Sequence, residues 1–192
     1  DARKELVRLR GMVSELAKKD GMRIAAAGTH PFSVWQTQEI TPLDRYQGLL
    51  EDLQELARQT LIFGMHVHIG VEDQDFMIDA MNTIKYMLPH VLALSTSSPF
   101  WEGRNTGLKS YRIAMFRRFP RPGIPGDFSS YSDYENFIDV MVQTGSIPNS
   151  SKIWWDVRPH HSFPTLEFRI CDLCTNVDDA VCCAALFQAL VL

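Results

Sequence analysis

Residues 63–71 read Phe-Gly-Met-His-Val-His-Ile-Gly-Val, an unbroken alternation of large apolar side chains with glycine or histidine. Side chains along a strand point alternately to opposite faces. In such a strand Met65, Val67, Ile69 and Val71 point one way, and Gly64, His66, His68 and Gly70 point the other. Two later segments carry the same period. In 152–158 it puts Trp154, Asp156 and Arg158 on one face; in 164–171 it separates Leu166, Phe168 and Ile170 from Thr165, Glu167, Arg169 and Cys171. The connection at 159–163 is too short for a crossover, so these two strands pair antiparallel.

Helical patterns fill most of the rest. Residues 3–19 carry Leu6, Leu9, Val13, Leu16 and Ala17 on one face, and Gly21 stops that helix. The short apolar stretch 22–27 reads as a buried strand. Thr41-Pro42 opens a second helix, with a core stripe of Tyr46, Leu49, Leu50, Leu53, Leu56 and Ala57. Asp73 or Asp75 starts a helix through Met87, and Pro89 begins a short run to about Ser95. Another piece is expected around 108–118. Ser132 and Glu135 form a capping box for a helix to about Thr144. The last helix runs from Val177 to Leu192. The expected class is α/β of the α+β type, with helices covering one face of a largely antiparallel sheet. Residues 1–192 read as one partial domain of a longer enzyme, because neither end carries a helix start or stop signal.

Charge and composition narrow the partners. The net charge of −4, without a long basic run, argues against nucleic acid. The cluster Arg112, Arg117, Arg118 and Arg121 is the local exception, and most of it reads as solvated or loop-anchoring. No apolar run approaches the roughly 18 residues of a membrane span, and no signal peptide is visible. Cys171, Cys174, Cys182 and Cys183 lack zinc-finger spacing and read as buried reduced thiols, which points to the cytoplasm.

The polar strand faces carry the chemistry. Imidazole and carboxylate, as on His66, His68, Asp156 and Glu167, can share a divalent ion. Arg158 and Arg169 beside them repel a cation unless an anionic ligand lies between. That combination points to a nucleotide-dependent enzyme using Mg²⁺ or Mn²⁺. Each piece alone has an ordinary reading: two histidines on a wet sheet face, or a cross-strand ion pair. Their joint occurrence on three strands favours a site. His160 and His161 fall in the connecting turn and read as structural or rim residues.

The residues also resemble a family. Gly64-Met65-His66-Val67-His68-Ile69-Gly70 is similar to the central strand of the carboxylate–amine ligases of the glutamate–cysteine ligase type 2 group. Gly28-Thr29-His30-Pro31-Phe32, Gln38, Thr41-Pro42 and Arg45-Tyr46 precede it in the family's order. Ser98-Pro99-Phe100-Trp101, Gly103, Thr106-Gly107, Ser110-Tyr111-Arg112, Trp155-Asp156-Val157-Arg158-Pro159, Thr165-Leu166-Glu167-Phe168-Arg169 and Asp172 follow. The resemblance implies a glutamine synthetase-like fold, with a curved antiparallel sheet forming a funnel. It implies ATP-dependent formation of an acyl phosphate on a carboxylate, then attack by an amine. For the named activity these are the γ-carboxyl of glutamate and the amine of cysteine.

By the same resemblance His66 and Glu167 bind metal. Arg169 binds the substrate carboxylate or the transferring phosphate, and Arg158 neutralises the phosphoryl group. Arg112 grips the amino acid's α-carboxylate, His68 faces nucleotide or metal-bound water, and Asp156 supports the metal or an arginine. The partners are small molecules, and a homo-oligomer is compatible with the sequence. The family's acidic Glu-x-Glu strand has no counterpart before residue 22, so the chain alone is expected to be inactive. Two other readings compete: a metal-dependent hydrolase of the amidohydrolase kind, and a non-catalytic paralogue of the ligase fold.

Overall fold

The computed structural model describes residues 1–192 apart from residues 40, 44–47, 49 and 52. Tyr46 and Leu49 of the expected second helix, with Arg45, therefore lie outside the described residues.

Three strands form the central sheet: β1 (Val67–Gly70), β6 (Val157–Pro159) and β7 (Thr165–Phe168). Their order is β1-β7-β6 and both pairings are antiparallel. As the short connection requires, β6 returns directly into β7, and the His160 N–H donates to the Thr165 carbonyl at 2.9 Å. Helices α3 (Gln74–Ile84), α4 (Leu88–Ser95) and α7 (Val177–Val191) pack on one face of this sheet. There Ile78, Met81, Ile84, Leu88 and Val91 meet Val157, Leu166, Phe168 and Ile170. The Phe168 and Phe187 rings stack with centroids 4.1 Å apart. Burial of side chains this size stabilises by about 1.5–3 kcal/mol each, so the apolar strand face is held down and its partner face is left for polar groups.

Helix starts follow local capping. Asp73 caps α3 through the Phe76 N–H at 3.0 Å. Ser110 caps α5 (Tyr111–Phe116) and Asn176 caps α7. The chain also forms the short helix α2 (Glu55–Arg58) and the antiparallel pair β2 (Phe100–Trp101) and β3 (Arg104–Asn105). The cap of α6 (Tyr131–Gln143) is Ser130, which accepts from Asp133 N–H at 3.1 Å, and not the expected Ser132. The same serine-to-acid spacing occurs two residues earlier, where Asp133 also accepts from the Ser129 N–H.

Several expectations are corrected. Residues 22–27 form no strand; Met22 and Ile24 are exposed. Helix α1 (Ala2–Lys19) buries none of its residues fully, and Leu9, Val13 and Leu16 face outward. It docks on α7 along half-buried Leu6, Arg10 and Ala17, and Arg10 donates to the carbonyls of Cys174 (2.8 Å) and Thr175 (2.6 Å). The guanidinium bonds of Arg10 hold this docking, and of the expected apolar stripe Leu6 and Ala17 are half-buried while the other three residues are exposed.

The segment 152–158 is not one strand. It splits into β5 (Trp154–Trp155), paired in parallel with β4 (Pro122–Gly123), and β6. Cys182 is exposed while Cys183 is buried. Adjacent helical positions lie about 100° apart, so both cannot face the core. Among the described residues, no helix is long and apolar enough to cross a membrane.

Candidate active site

The register aligns one polar row across the sheet. His68 stands opposite Glu167, and Glu167 opposite Arg158. Directly opposed side chains sit about 5 Å apart on a shared face, so Glu167 on the middle strand is the centre of the row. Its side chain is only 3% exposed. One carboxylate oxygen, Oε2, accepts from Arg158 Nε at 2.8 Å. The other, Oε1, accepts from Arg169 Nη1 at 2.6 Å, with His66 Nδ1 at 3.1 Å and His68 Nε2 at 3.9 Å. His68 is held from behind by Thr165 Oγ1 at 3.0 Å.

These contacts set the protonation states. Burial alone would raise the Glu167 pKa, but the His66 hydrogen bond and the Arg169 and Arg158 guanidinium groups outweigh it and hold it far below the usual carboxylate range. Burial pushes His66 below its ordinary value, against its hydrogen bond to the Glu167 carboxylate. A neutral His66 that keeps its proton on Nδ1 and donates it to Glu167 Oε1 leaves Nε2 as an acceptor. Arg158 is further tied to the carbonyls of Ser151 (3.0 Å) and Ile153.

The row forms one wall of a cavity of about 640 Å³. Its fixed charges are Lys152, Arg158 and Arg169 against the single carboxylate Glu167. The excess is positive, and Phe116, Phe119 and Trp154 supply apolar surface beside it. Such walls suit an anion that carries a flat apolar part. His160 and His161 also line the cavity, as rim residues, with the His160 ring 5.1 Å from that of His68.

Four of the six strand residues singled out by alternation, with Glu167 central, are thus brought together in direct contact: His66, Arg158, Glu167 and Arg169; His68 joins them at longer range. Asp156 and Arg112 are not among the cavity's lining residues. Asp156 is 1% exposed, and its Oδ2 lies 3.5 Å from Arg117 Nη2 without a hydrogen bond. Burial raises its pKa, opposed by Arg117, Arg112 and Arg169. Its carbonyl accepts from the Arg169 N–H at 2.8 Å.

The alternation also breaks. Val67 opposes Phe168, but Gly64 opposes Asp172. Two residues, Met65 and His66, therefore face three: Arg169, Ile170 and Cys171. This is a β-bulge. The extra residue shifts the phase, so Cys171 joins the apolar core beside Ile170 instead of the polar face expected for it. Asp172, which strict alternation assigns to the wrong side, becomes a buried polar hub. It accepts from Ser98 Oγ (2.6 Å), Ser110 Oγ (2.9 Å) and Ser97 N–H (3.0 Å), and Arg112 Nη1 lies 3.9 Å away. In the sequence Ser98, Ser110 and Asp172 stand out only as members of the family's motifs, Arg117 only within the arginine cluster, and Lys152, which lines the cavity, not at all. Nothing in the strand period marks them.

No group of three or more His, Cys, Asp or Glu side chains is arranged to hold a metal among the described residues. The donor pair His66 Nδ1 and Glu167 Oε1 does fit one edge of such a site. Two ligands at right angles, each about 2.1 Å from an ion, are about 3 Å apart, and these two are 3.1 Å apart. An ion there would replace the Nδ1 proton and compete with Arg169 Nη1, which bonds the same oxygen.

The model of the glutamate–cysteine ligase family 2 matches residues 1–192. A relative from Herpetosiphon aurantiacus is 57% identical over 190 residues, covering 99% of this chain and 49% of the relative. One from Roseiflexus castenholzii is 55% identical over 192 residues, covering 100% of this chain and 51% of the relative. One from Sorangium cellulosum is 57% identical over 190 residues, covering 99% and 51%. All three bear the provisional name glutamate–cysteine ligase 2. The chain spans about half the length of the curated relatives it matches.

Proposed function

The chain belongs to the glutamate–cysteine ligase family 2, and from that premise we propose that it carries part of the active site of an ATP-dependent carboxylate–amine ligase. The acid is the γ-carboxyl of glutamate and the amine is that of cysteine. A γ-carboxylate oxygen attacks the terminal phosphorus of ATP, and ADP leaves. The amine nitrogen then attacks the acyl carbon, phosphate leaves, and the nitrogen gives up a proton. The fold in this reading is of the glutamine synthetase kind, the compartment is the cytoplasm, and the partners are small molecules.

The observation that carries the reading is the Glu167 carboxylate gripped by Arg158 and Arg169 on the wall of a cavity with excess positive charge. Activating a carboxylate with phosphate gathers negative charge at one point, and fixed guanidinium groups stabilise it without reorganising. Arg158, tied to two carbonyls as well as Glu167, is the more rigid of the two and serves the phosphoryl group. Arg169 serves the carboxylate or the phosphate, and His68 faces the nucleotide. His66 and Glu167 hold Mg²⁺ or Mn²⁺, which supplies further charge neutralisation when bound. Arg112 and Asp156 enter this reading only through Arg169.

The test is ADP release by a protein of the relatives' full length, with ATP, glutamate and a panel of amines, and product mass as confirmation. Release that requires both acid and amine is expected. Release that ignores the acid, or amide hydrolysis with stoichiometric zinc, sinks the proposal. The 192-residue chain alone is expected to show no turnover.

A further inference from the structure

Resting on that reading of the cavity, we infer that Arg112 and Asp172 are a buried positioning pair that sets Arg169, rather than contacts for a substrate.

The bulge creates the need. Where three residues face two, backbone carbonyls lose their ladder partners. Arg112 supplies donors at that point: Nη2 reaches the Arg169 carbonyl and Nη1 the Ile170 carbonyl, both at 3.1 Å. The planar fork of a guanidinium suits two adjacent carbonyls in a way that a lysine does not. The Arg169 N–H is held from the other strand by the Asp156 carbonyl at 2.8 Å. The Arg169 backbone is thereby fixed on both sides, and from it the side chain places Nη1 on Glu167 Oε1 at 2.6 Å.

Asp172 in turn fixes Arg112. It is 0% exposed and takes three hydrogen bonds, from Ser97, Ser98 and Ser110. Ser98 Oγ donates to Asp172 and accepts from the Arg112 N–H at 3.1 Å, so the backbone and side chain of Arg112 answer to the same carboxylate. Two glycines leave room for the pair and no more. A Cβ on Gly64 would lie 2.3 Å from Arg112 Nη2, and one on Gly28 would lie 2.7 Å from Asp172 Cγ. Arg112 is 3% exposed and is not among the cavity's lining residues, so a substrate carboxylate has no route to it without rearrangement.

The test presses on the pair from both sides with Gly64→Ala and Gly28→Ala, and adds Arg112→Lys and Asp172→Asn as milder changes. The protein, at the relatives' length, is labelled with ¹⁵N-arginine. The Nε–H signals of Arg112, Arg158 and Arg169 are assigned by their loss in lysine variants. The Arg169 Nε is buried, so its proton exchanges slowly in the parent. In the variants its signal is expected to shift and its exchange with water to quicken by about tenfold or more, while Arg158 stays unchanged. Turnover in the ligase assay is expected to fall by about 10²-fold through kcat, since a 1 Å misplacement costs that much, with KM for ATP unchanged.

An Arg169 signal that stays in place while Arg112 shifts overturns the inference. So does loss of Arg158 and Arg169 together, or unfolding of all four variants, since the pair would then be merely structural. The guanidinium signals need no turnover. A parent without ligase activity refutes the proposed function and leaves this inference standing on the signals alone.

Discussion

Replacing Glu167 with glutamine keeps the size of the side chain and removes the charge at the centre of the row. The cost can be worked from the contacts. Glu167 is 3% exposed and accepts from Arg158 at 2.8 Å and Arg169 at 2.6 Å. Breaking a buried pair from one side costs about 3–5 kcal/mol, because the other charge is left uncompensated. Arg158 keeps the carbonyls of Ser151 and Ile153 and stays satisfied. Arg169 is stranded, with its Nε already unpaired. Its side chain is 12% exposed and borders the cavity, so water recovers part of the loss. The expected cost is therefore near the lower end, about 3 kcal/mol at pH 7.

At about 2–4 °C per kcal/mol for a chain this size, Tm falls by roughly 6–12 °C. The assay is urea unfolding of parent and Glu167→Gln across pH. Glu167 has a depressed native pKa, so its contribution is complete above the unfolded value of 4.5 and fades as pH falls below it. At 1.36 kcal/mol per pH unit, the gap between the two proteins should be roughly 2 kcal/mol smaller at pH 3 than at pH 7. A gap below about 1 kcal/mol at pH 7, or one that does not shrink in acid, refutes the reading of Glu167 as a charged hub.

Other perturbations give separate checks. A thiol reagent near pH 8 should label one cysteine in the native protein, the exposed Cys182, and four after denaturation. Cys183, pushed up to about 11 chiefly by its hydrogen bond with Cys171, stays protonated, and a second fast thiol would contradict the burial described. Removing the hydroxyl in Ser110→Ala takes one donor from Asp172, and chemical denaturation should register a loss of about 1–3 kcal/mol; no change would mean the hub has slack. Arg169→Gln removes the cation that shares Glu167 Oε1 with His66, so Mn²⁺ binding followed by electron paramagnetic resonance should tighten. Weaker binding in that variant would place the ion elsewhere.

Much of the site was legible in the chain because a strand writes its two faces into alternate positions. His66, Glu167, Arg158 and Arg169 could be grouped from period and the short 159–163 connection, without knowing the register. Helices with strong caps, such as the one begun by Asp73, were equally plain. The exposed face of helix α1 was not, because it docks through Arg10 and two carbonyls, and those carbonyls belong to residues more than 150 positions away. Cys171 falls on the polar face only if strict alternation continues through the bulge, and the extra residue there turns it into the core. Alternation groups Asp156 with the site and the family motif groups Arg112 with it, but the fold buries both off the cavity wall.

Local sequence determined which faces of the central strands β1, β6 and β7 are polar, since period and turn length are properties of the neighbouring chain. Only tertiary structure decided the phase at the bulge. That phase depends on how many residues lie between two distant pairings, Val67 with Phe168 and Gly64 with Asp172. Closing those two pairings leaves one residue over, and the leftover residue turns Asp172 inward to Arg112 and Cys171 into the core.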